Sequence, residues 1–140
     1  GEPKARAFMR LAGLLYARGR LLPAAIEYEK AQVTVGTTHP ILALRLSRTY
    51  LELGDAERAV AVLEPARELY SDLAGINAAL GAAWLKRGEL PKAAQYLEAA
   101  IATSPFDPAV HCGLVQIYQK LKNPLAERAD TACRLLISRR

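Results

Sequence analysis

Apolar residues recur along the whole chain at the spacing of amphipathic helices. In residues 4–18 the side chains of Phe8, Leu11, Ala12 and Leu15 follow the i, i+3, i+4, i+7 pattern of one helix face. The same spacing returns in seven further segments, separated by short stretches rich in Gly, Pro, Asn and Asp. No segment alternates apolar and polar residues as a half-buried strand does. The pattern therefore predicts an all-α protein of about eight helices.

Breaks in the pattern predict where the helices begin and end. The predicted helices span residues 4–18, 22–34, 41–53, 56–70, 73–87, 90–103, 108–121 and 125–138. Pro65 falls inside the fourth of them. A proline removes one backbone hydrogen bond and clashes with the preceding turn, so we expect a kink or break near Glu64.

The predicted helices form pairs, and the pairs repeat. A large apolar residue precedes each turn residue by four positions, in the pairs Leu15 and Gly19, Tyr50 and Gly54, Trp84 and Gly88, and Tyr118 and Lys122. The turn residues are 35, 34 and 34 positions apart. A fixed period of this length is typical of a stacked array of helical hairpins, in which each hairpin buries its apolar face only against its neighbours.

These residues resemble the tetratricopeptide repeat, in four copies that cover nearly all of the chain. The third copy matches the family pattern best, with Leu80, Gly81, Trp84, Gly88, Ala93, Leu97, Ala100 and Pro105. The fourth departs from it, because Val115 replaces a small residue and Lys122 replaces the turn glycine. Its second-helix triad, Ala129, Cys133 and Leu136, also comes two residues late, so we expect a longer turn there.

The resemblance implies a right-handed superhelical solenoid of antiparallel helix hairpins. We expect a single domain over residues 1–140, with repeats at approximately 5–36, 40–71, 74–106 and 108–138. Small residues at the inward positions let the two helices of a hairpin approach closely, and large neighbours fill the gaps. Since the sequence begins at Gly1 and not at an initiating Met, we expect it to be a piece of a longer protein.

Charge adds a hint about partners. The net charge is +5, with 19 Lys and Arg against 14 Asp and Glu. Basic residues lie mainly on the first helix of each predicted hairpin, and acidic residues mainly on the second. No apolar run approaches the ~20 residues that span a bilayer, so we expect no membrane segment.

The resemblance also implies where a partner binds, because in this family the first helices line a concave groove that holds an extended peptide. It places an apolar floor with basic spots in that groove, made of Arg6, Met9, Arg10, Tyr16, Leu44, Arg45, Arg48, Leu51, Leu85, Lys86, Gln116 and Gln119. We therefore expect a protein-interaction scaffold for a segment that is acidic and partly apolar.

Some family members grip a C-terminal carboxylate with Asn and Lys or Arg at set places in three repeats. Here Gly13 and Arg45 fill the Asn places, and Gly75 and Ala79 stand where the basic pair would be. We therefore do not expect binding of a chaperone tail.

Catalytic and metal-binding patterns are lacking in the sequence. His39 is expected to start a helix, and His111 to pack in the core. Cys112 and Cys133 form no CxxC pair and are expected to be buried free thiols. With no phosphate loop, HExxH or GxSxG motif, we expect neither an enzyme nor a cofactor or metal. The cellular compartment stays open.

Two other functions compete with the scaffold interpretation. Leu135, Leu136 and Ile137 have no following helix to cover them, so this C-terminal end could pair with another copy of the chain. The chain could also be a targeting arm attached to an enzyme domain. Helical repeats of about 35 residues can read single-stranded RNA, but only with recurring polar positions in the groove. Here those positions are largely Ala, Leu and Gly, so we do not expect nucleic acid.

Overall fold

The computed structural model describes residues 1–36 and 38–138, with the side chain of Ala74 excepted, and this part of the chain contains eight α-helices and no strand. The helices are α1 (Glu2–Ala17), α2 (Leu21–Val35), α3 (Pro40–Glu52), α4 (Ala56–Leu69), α5 (Ala74–Lys86), α6 (Leu90–Thr103), α7 (Pro108–Lys120) and α8 (Ala126–Ser138). The all-α prediction and the eight predicted helices are confirmed.

The helices pack as four hairpins, α1–α2, α3–α4, α5–α6 and α7–α8. Contacts divide the chain into two compact units, the first over residues 1–71 and the second from Asp72 onward. Within the first unit α2 also packs on α3, and within the second α6 packs on α7. Each unit is therefore a pair of hairpins joined through a second helix and the first helix that follows it.

Alanine fills the closest contacts inside each hairpin. Ala24 and Ala31 of α2 and Ala93 and Ala100 of α6 are fully buried, at the repeat positions where the sequence pattern calls for small residues. In α5 the small residue is Gly81, where an added Cβ would lie 2.5 Å from Cδ2 of Leu97. Helix separation is thus set by side chains of one carbon or none.

The three turn glycines have left-handed backbone conformations, with φ of +76° at Gly19, +84° at Gly54 and +79° at Gly88. The residue after each glycine donates its N–H to the carbonyl five positions back, which satisfies a carbonyl that the helix end leaves open. Lys122 adopts the same conformation, with φ of 53°. α8 begins four residues after Lys122, whereas α2, α4 and α6 begin two after their glycines, so the predicted longer turn is confirmed.

The expected break at Pro65 is wrong, because α4 runs without interruption from Ala56 to Leu69. Proline deprives the carbonyl four residues earlier, that of Ala61, of its helical partner. Ala61 lies on the exposed side of α4. Water can therefore donate a hydrogen bond to the Ala61 carbonyl, and the helix continues through Pro65.

The prediction that Leu11 belongs to the packed face of α1 is also wrong. Ala12 is fully buried and Phe8 and Leu15 are half-buried, but Leu11 is 46% exposed. The corresponding residue of α3, Leu46, is fully buried, because α2 packs on α3. Leu11 lacks such a covering helix among the described residues.

The prediction that the two cysteines are free thiols is wrong. Cys112 of α7 and Cys133 of α8 form a disulfide. Their Cα atoms are 4.8 Å apart. Cys133 stands at the repeat position of Leu97, the large residue that α6 turns toward α5. The antiparallel packing of α7 and α8 brings together two residues that are 21 positions apart in the sequence, which spacing alone could not show.

Candidate functional site

The twelve predicted partner-binding residues all lie on the first helices of the hairpins, eight in the first unit and four in the second. The apolar and aromatic members are half-buried, namely Met9, Tyr16, Leu44, Leu51 and Leu85. The charged and amide members are exposed, namely Arg6, Arg10, Arg45, Arg48, Lys86, Gln116 and Gln119. This distribution gives each unit an apolar surface edged by polar groups.

In the first unit, Tyr16 joins α1 to α3. The guanidinium carbon of Arg48 lies 4.2 Å from the centre of the Tyr16 ring, within the range of a cation–π contact. A hydrogen bond to Glu52, together with burial, raises the pKa of the Tyr16 hydroxyl. The contact therefore places the charge of Arg48 over the Tyr16 ring and favours that position of its side chain.

The remaining arginines of this surface are not held in ion pairs. None of the ion pairs found in the described residues involves Arg6, Arg10 or Arg45. Two nearby acidic residues are paired elsewhere, Glu27 of α2 with Lys30 at 3.0 Å and Asp55, the cap of α4, with Arg58 at 3.4 Å. Arg6, Arg10 and Arg45 are therefore positive charges of α1 and α3 without an ion-pair partner among the described residues.

In the second unit, a depression of about 480 Å³ lies between the ends of α5 and α7. It is lined by Ala82, Leu85, Lys86, Gly88, Leu90, Gln116 and Lys120. Three of the four residues predicted in this unit thus meet at one place, while Gln119 lies outside the lining. The floor is apolar, and Lys86 and Lys120 supply two positive charges.

Lys120 was not among the predicted site residues. It follows Lys86 by 34 positions, which is the repeat period, so the two lysines occupy the same place in consecutive hairpins. A comparison of equivalent positions, applied to charges as well as to core residues, could have found it.

Two acidic residues of the second helices bind tyrosines of the next hairpin. The Tyr50 hydroxyl donates to Glu29 at 2.5 Å, and the Tyr118 hydroxyl donates to Glu98 at 2.5 Å. Burial raises the pKa of each tyrosine most, and the hydrogen bond to the carboxylate raises it further. These carboxylates join neighbouring hairpins within a unit, so they do not face a ligand on the first helices.

The two histidines have structural roles. Nδ1 of His39 accepts a hydrogen bond of 3.2 Å from the Leu42 N–H and caps α3, as predicted for a helix-start residue. His111 is half-buried, and its Nε2 lies 2.7 Å from the carbonyl oxygen of Pro105. Among the described residues, no group of three His, Cys, Asp or Glu side chains could hold a metal ion. None of the helices in that part of the chain has the length and apolar composition that crossing a membrane requires.

Comparisons with known proteins agree on the fold. Residues 44–108 match the family model of the tetratricopeptide repeat. MamA (residue 41 to the end) from Desulfovibrio magneticus RS-1 superposes with a TM-score of 0.81 at 16% identity, over 96% of this chain and 74% of that one. TTC0263, a tetratricopeptide repeat protein of Thermus thermophilus, gives 0.79 at 21% identity, over 96% and 73%.

A third similar structure contains a ligand. The first tetratricopeptide repeat domain of Spaghetti (RPAP3), bound to the HSP90 peptide SRMEEVD, superposes with a TM-score of 0.81 at 20% identity, over 87% of this chain and 96% of that one. No curated protein sequence matches this chain. Residues 44–108 are thus similar in sequence to the tetratricopeptide repeat, and over nearly the whole chain the fold is that of these repeat proteins.

Proposed function

We propose that the chain is a non-enzymatic scaffold that binds a partner segment, acidic and partly apolar, along the exposed faces of its first helices. The observation that carries this proposal is the depression in the second unit, where Ala82 and Leu85 form an apolar floor beside Lys86 and Lys120. An apolar side chain can fill the floor while a neighbouring carboxylate meets the lysines. Aliphatic anchors would supply most of the affinity, because exposed charge pairs contribute only about 0.2–1 kcal/mol each.

The first unit supports the same chemistry. Arg10 and Arg45 occupy equivalent positions of α1 and α3, 35 residues apart, and Arg48 is held in place by Tyr16. Half-buried Met9, Leu44 and Leu51 lie on the same two helices and offer apolar contact. The similar RPAP3 domain binds a peptide with two glutamates and a terminal Val-Asp, which is again acidic and partly apolar. Because Gly13 and Arg45 occupy the Asn places of the carboxylate clamp, we propose recognition of internal acidic residues and not of a chain end.

The test uses a set of fluorescent peptides that pair Leu or Met with Asp or Glu, with affinity measured by anisotropy. Replacing Lys86→Glu together with Lys120→Glu should weaken the best binder at least ~tenfold, since both cations of the depression are reversed. Arg128→Glu changes the same kind of charge on α8, outside this lining, and should change affinity less than ~twofold. Equal losses in both variants would mean that only the overall charge matters, and the proposed site would be wrong.

A further inference from the structure

A cavity of about 350 Å³ lies inside the second unit, between α6, α7 and α8. It shares no lining residue with the depression proposed to bind peptides. Its volume is within the range of small-molecule pockets, roughly 300–1,000 Å³. The lining residues that decide its chemistry are Ile101 of α6, His111 and Tyr118 of α7, Leu125 in the turn before α8, and Arg128 and Ala132 of α8.

The repeats show why there is room at this place. Each second helix has a buried alanine in its first turn, which is Ala129 in α8. Counted from that alanine, the residues equivalent to Ala132 are Glu27 of α2, Val62 of α4 and Tyr96 of α6. Ala132 is the smallest of the four. By comparison with α6, the side chain that is missing from the cavity is an aromatic one.

The same alignment shows that the lining is more apolar than its equivalents. Leu125 stands directly before α8, and the residues directly before the other second helices are all charged, namely Arg20, Asp55 and Glu89. Ile101 likewise stands where α2 has Gln32 and α4 has Arg67. Two wall positions that are polar in other repeats are thus hydrocarbon here, where apolar surface favours an apolar occupant.

Arg128 brings a positive charge to the cavity and has no partner among the described residues. Its equivalents are both engaged, because Arg58 pairs with Asp55 at 3.4 Å and Lys92 lies 4.2 Å from the centre of the Trp84 ring. None of the ion pairs or cation–π contacts found in that part of the chain includes Arg128. The turn before α8 has a leucine in place of Asp55, so a carboxylate for Arg128 can come from a ligand.

Two rings form fixed walls of the cavity. Nε2 of His111 lies 2.7 Å from the carbonyl oxygen of Pro105, and since a carbonyl oxygen only accepts, Nε2 is the donor. The Tyr118 hydroxyl donates to Glu98 at 2.5 Å. Both acceptors lie outside the lining, so the rings are held from behind. An aromatic ligand can pack on such rings edge to face or with an offset.

The cavity lies on a different face of α8 from the one that would receive another helix. In α6 the face that packs on the next hairpin contains Ala94 and Glu98, and the equivalent residues of α8 are Asp130 and Arg134. Neither of these two lines the cavity. A helix packed on α8 as α7 packs on α6 would therefore leave the cavity open to a ligand.

We propose that this cavity binds a small aromatic carboxylic acid. The ring of the ligand occupies the space beside Ala132, between Tyr118 and the side chains of Ile101 and Leu125, and its carboxylate pairs with Arg128. The inference holds whether or not the peptide site exists, because the two sites have no lining residue in common.

The probe is phenylpropanoate, tested against two matched compounds. Its primary amide lacks the charge, and cyclohexylpropanoate lacks the flat ring. Titration of the full chain with phenylpropanoate should give saturable amide NMR shifts on α7 and the first half of α8, with a dissociation constant below about 1 mM. The amide should bind at least ~threefold more weakly, and the cyclohexyl acid at least ~twofold more weakly.

One pair of variants tests the charge. Arg128→Gln should weaken phenylpropanoate at least ~threefold and leave binding of the amide unchanged. Arg134→Gln removes the same charge from α8 outside the lining and should change neither affinity. Equal losses in the two variants, or equal binding of the acid and the amide to the parent chain, would overturn the proposal, because the acid would then respond only to the overall charge or not to charge at all.

A second pair of variants tests the space. Ala132→Tyr places the residue of α6 in the cavity, so the helix content measured by circular dichroism should be kept while phenylpropanoate binds at least ~tenfold more weakly. Thr131→Tyr adds the same side chain at an exposed neighbour and should leave binding unchanged. Binding that Ala132→Tyr does not weaken would overturn the proposal. So would the absence of saturable shifts near the cavity, which would mean that the space is only loose packing, and so would equal binding of the cyclohexyl acid, which would exclude an aromatic site.

Discussion

Gly81 shows how one residue sets the distance between two helices. An added Cβ would lie 2.5 Å from Cδ2 and 2.6 Å from Cγ of Leu97, and 3.3 Å from the carbonyl oxygen of Ala93. The carbonyl belongs to the backbone of α6 and cannot turn away. Leu97 itself is 5% exposed, so it has little room to move. The close approach of α5 and α6 therefore requires glycine at this position.

We expect Gly81→Ala to destabilise the protein by about 1–2 kcal/mol, because overpacking outweighs the better helix propensity of alanine. Gly13→Ala is the matched control, since its Cβ would come no closer than 3.9 Å to the Tyr28 hydroxyl. That change should be neutral or stabilise by up to about 1 kcal/mol. Urea unfolding followed by circular dichroism measures both. A Gly81→Ala variant as stable as the parent would show that α5 and α6 can separate freely.

Tyr50 makes the stability of the protein depend on pH in the alkaline range. Burial and the hydrogen bond to Glu29 raise its pKa above the ordinary value of 10.0. Its contribution to stability is complete below pH 10 and is lost as the pH rises toward the higher folded-state pKa, because the unfolded chain releases the proton first. Tyr50→Phe should cost about 1 kcal/mol at pH 7 and make the decline above pH 10 shallower.

Urea unfolding at several pH values between neutral and alkaline measures that slope. Tyr70→Phe, at a tyrosine that is 37% exposed, should change the unfolding free energy at pH 7 by less than about 0.5 kcal/mol. If the Tyr50→Phe variant declined as steeply as the parent, the alkaline loss would have to come from other groups.

Individual residues also show the limits of the sequence-based prediction. The resemblance to the tetratricopeptide repeat placed Leu85, Lys86 and Gln116 in one groove, and the structure brings these three residues together in one depression. It did not predict that Tyr16 and Arg48 stack, because a cation–π contact depends on rotamers and on the distance between α1 and α3. Their roles in binding a partner stay predictions.

Among the elements, α8 depends least on buried side chains. Ala129 is its one buried residue among those described, whereas α2 and α6 each bury four. Cys133 takes the place of a leucine, and its bond to Cys112 ties α8 to α7. A covalent link thus compensates for a weak apolar contact.

Reduction of this disulfide should therefore destabilise the second unit, by about 3 kcal/mol for a loop of this length. Thermal unfolding with and without a phosphine reductant measures the effect, and hydrogen exchange should speed up first in α8. The double variant Cys112→Ala with Cys133→Ala should unfold at a lower temperature and no longer respond to the reductant. Two free thiols in the native protein, found by alkylation and mass measurement, would contradict the disulfide.

Element boundaries followed from local signals where those signals were strong. The turn glycines stand where they were predicted, and α7 begins at residue 108 as predicted, with Asp107 as its cap. The predicted break at Pro65 is absent. The cost of a proline inside a helix depends on whether solvent can reach the carbonyl that loses its hydrogen bond, and the local sequence does not reveal this. The disulfide was missed because it depends on the relative rotation of α7 and α8.

At the scale of the molecule, a net charge of +5 acts on partners at a distance. Since the exposed basic residues of α1 and α3 have no ion-pair partners among the described residues, they should attract an acidic segment before contact. Screening shortens that attraction to about 3 Å at 1 M salt, compared with about 10 Å at 0.1 M.

We therefore expect the affinity for an acidic, partly apolar peptide to fall roughly several-fold when the salt concentration rises from about 0.05 to about 0.5 M. The same peptide with Asn and Gln in place of its acids should bind more weakly and respond little to salt. Anisotropy titrations at three salt concentrations give both slopes. An affinity that is independent of salt would assign binding to the apolar floor alone.

The fold as a whole was predictable because one pattern occurs four times. Each copy alone is degenerate, but the 34- or 35-residue period from Gly19 to Lys122 aligned the weak copies with the strong one. The same alignment could not show that Leu11 and Leu14 of α1 are exposed. The pattern identifies equivalent positions in the repeats, but it does not show whether another helix packs on them.

The exposed leucines of α1 and the ion pair of α8 bear on self-association. Leu11 and Leu14 of α1 are 46% and 62% exposed, at the positions where α3 is covered by α2. On α8, the Asp130–Arg134 pair stands where α6 has Ala94 and Glu98. A copy that packed its α8 on the α1 leucines of another would bury this charge pair against hydrocarbon, which disfavours an open head-to-tail fibre.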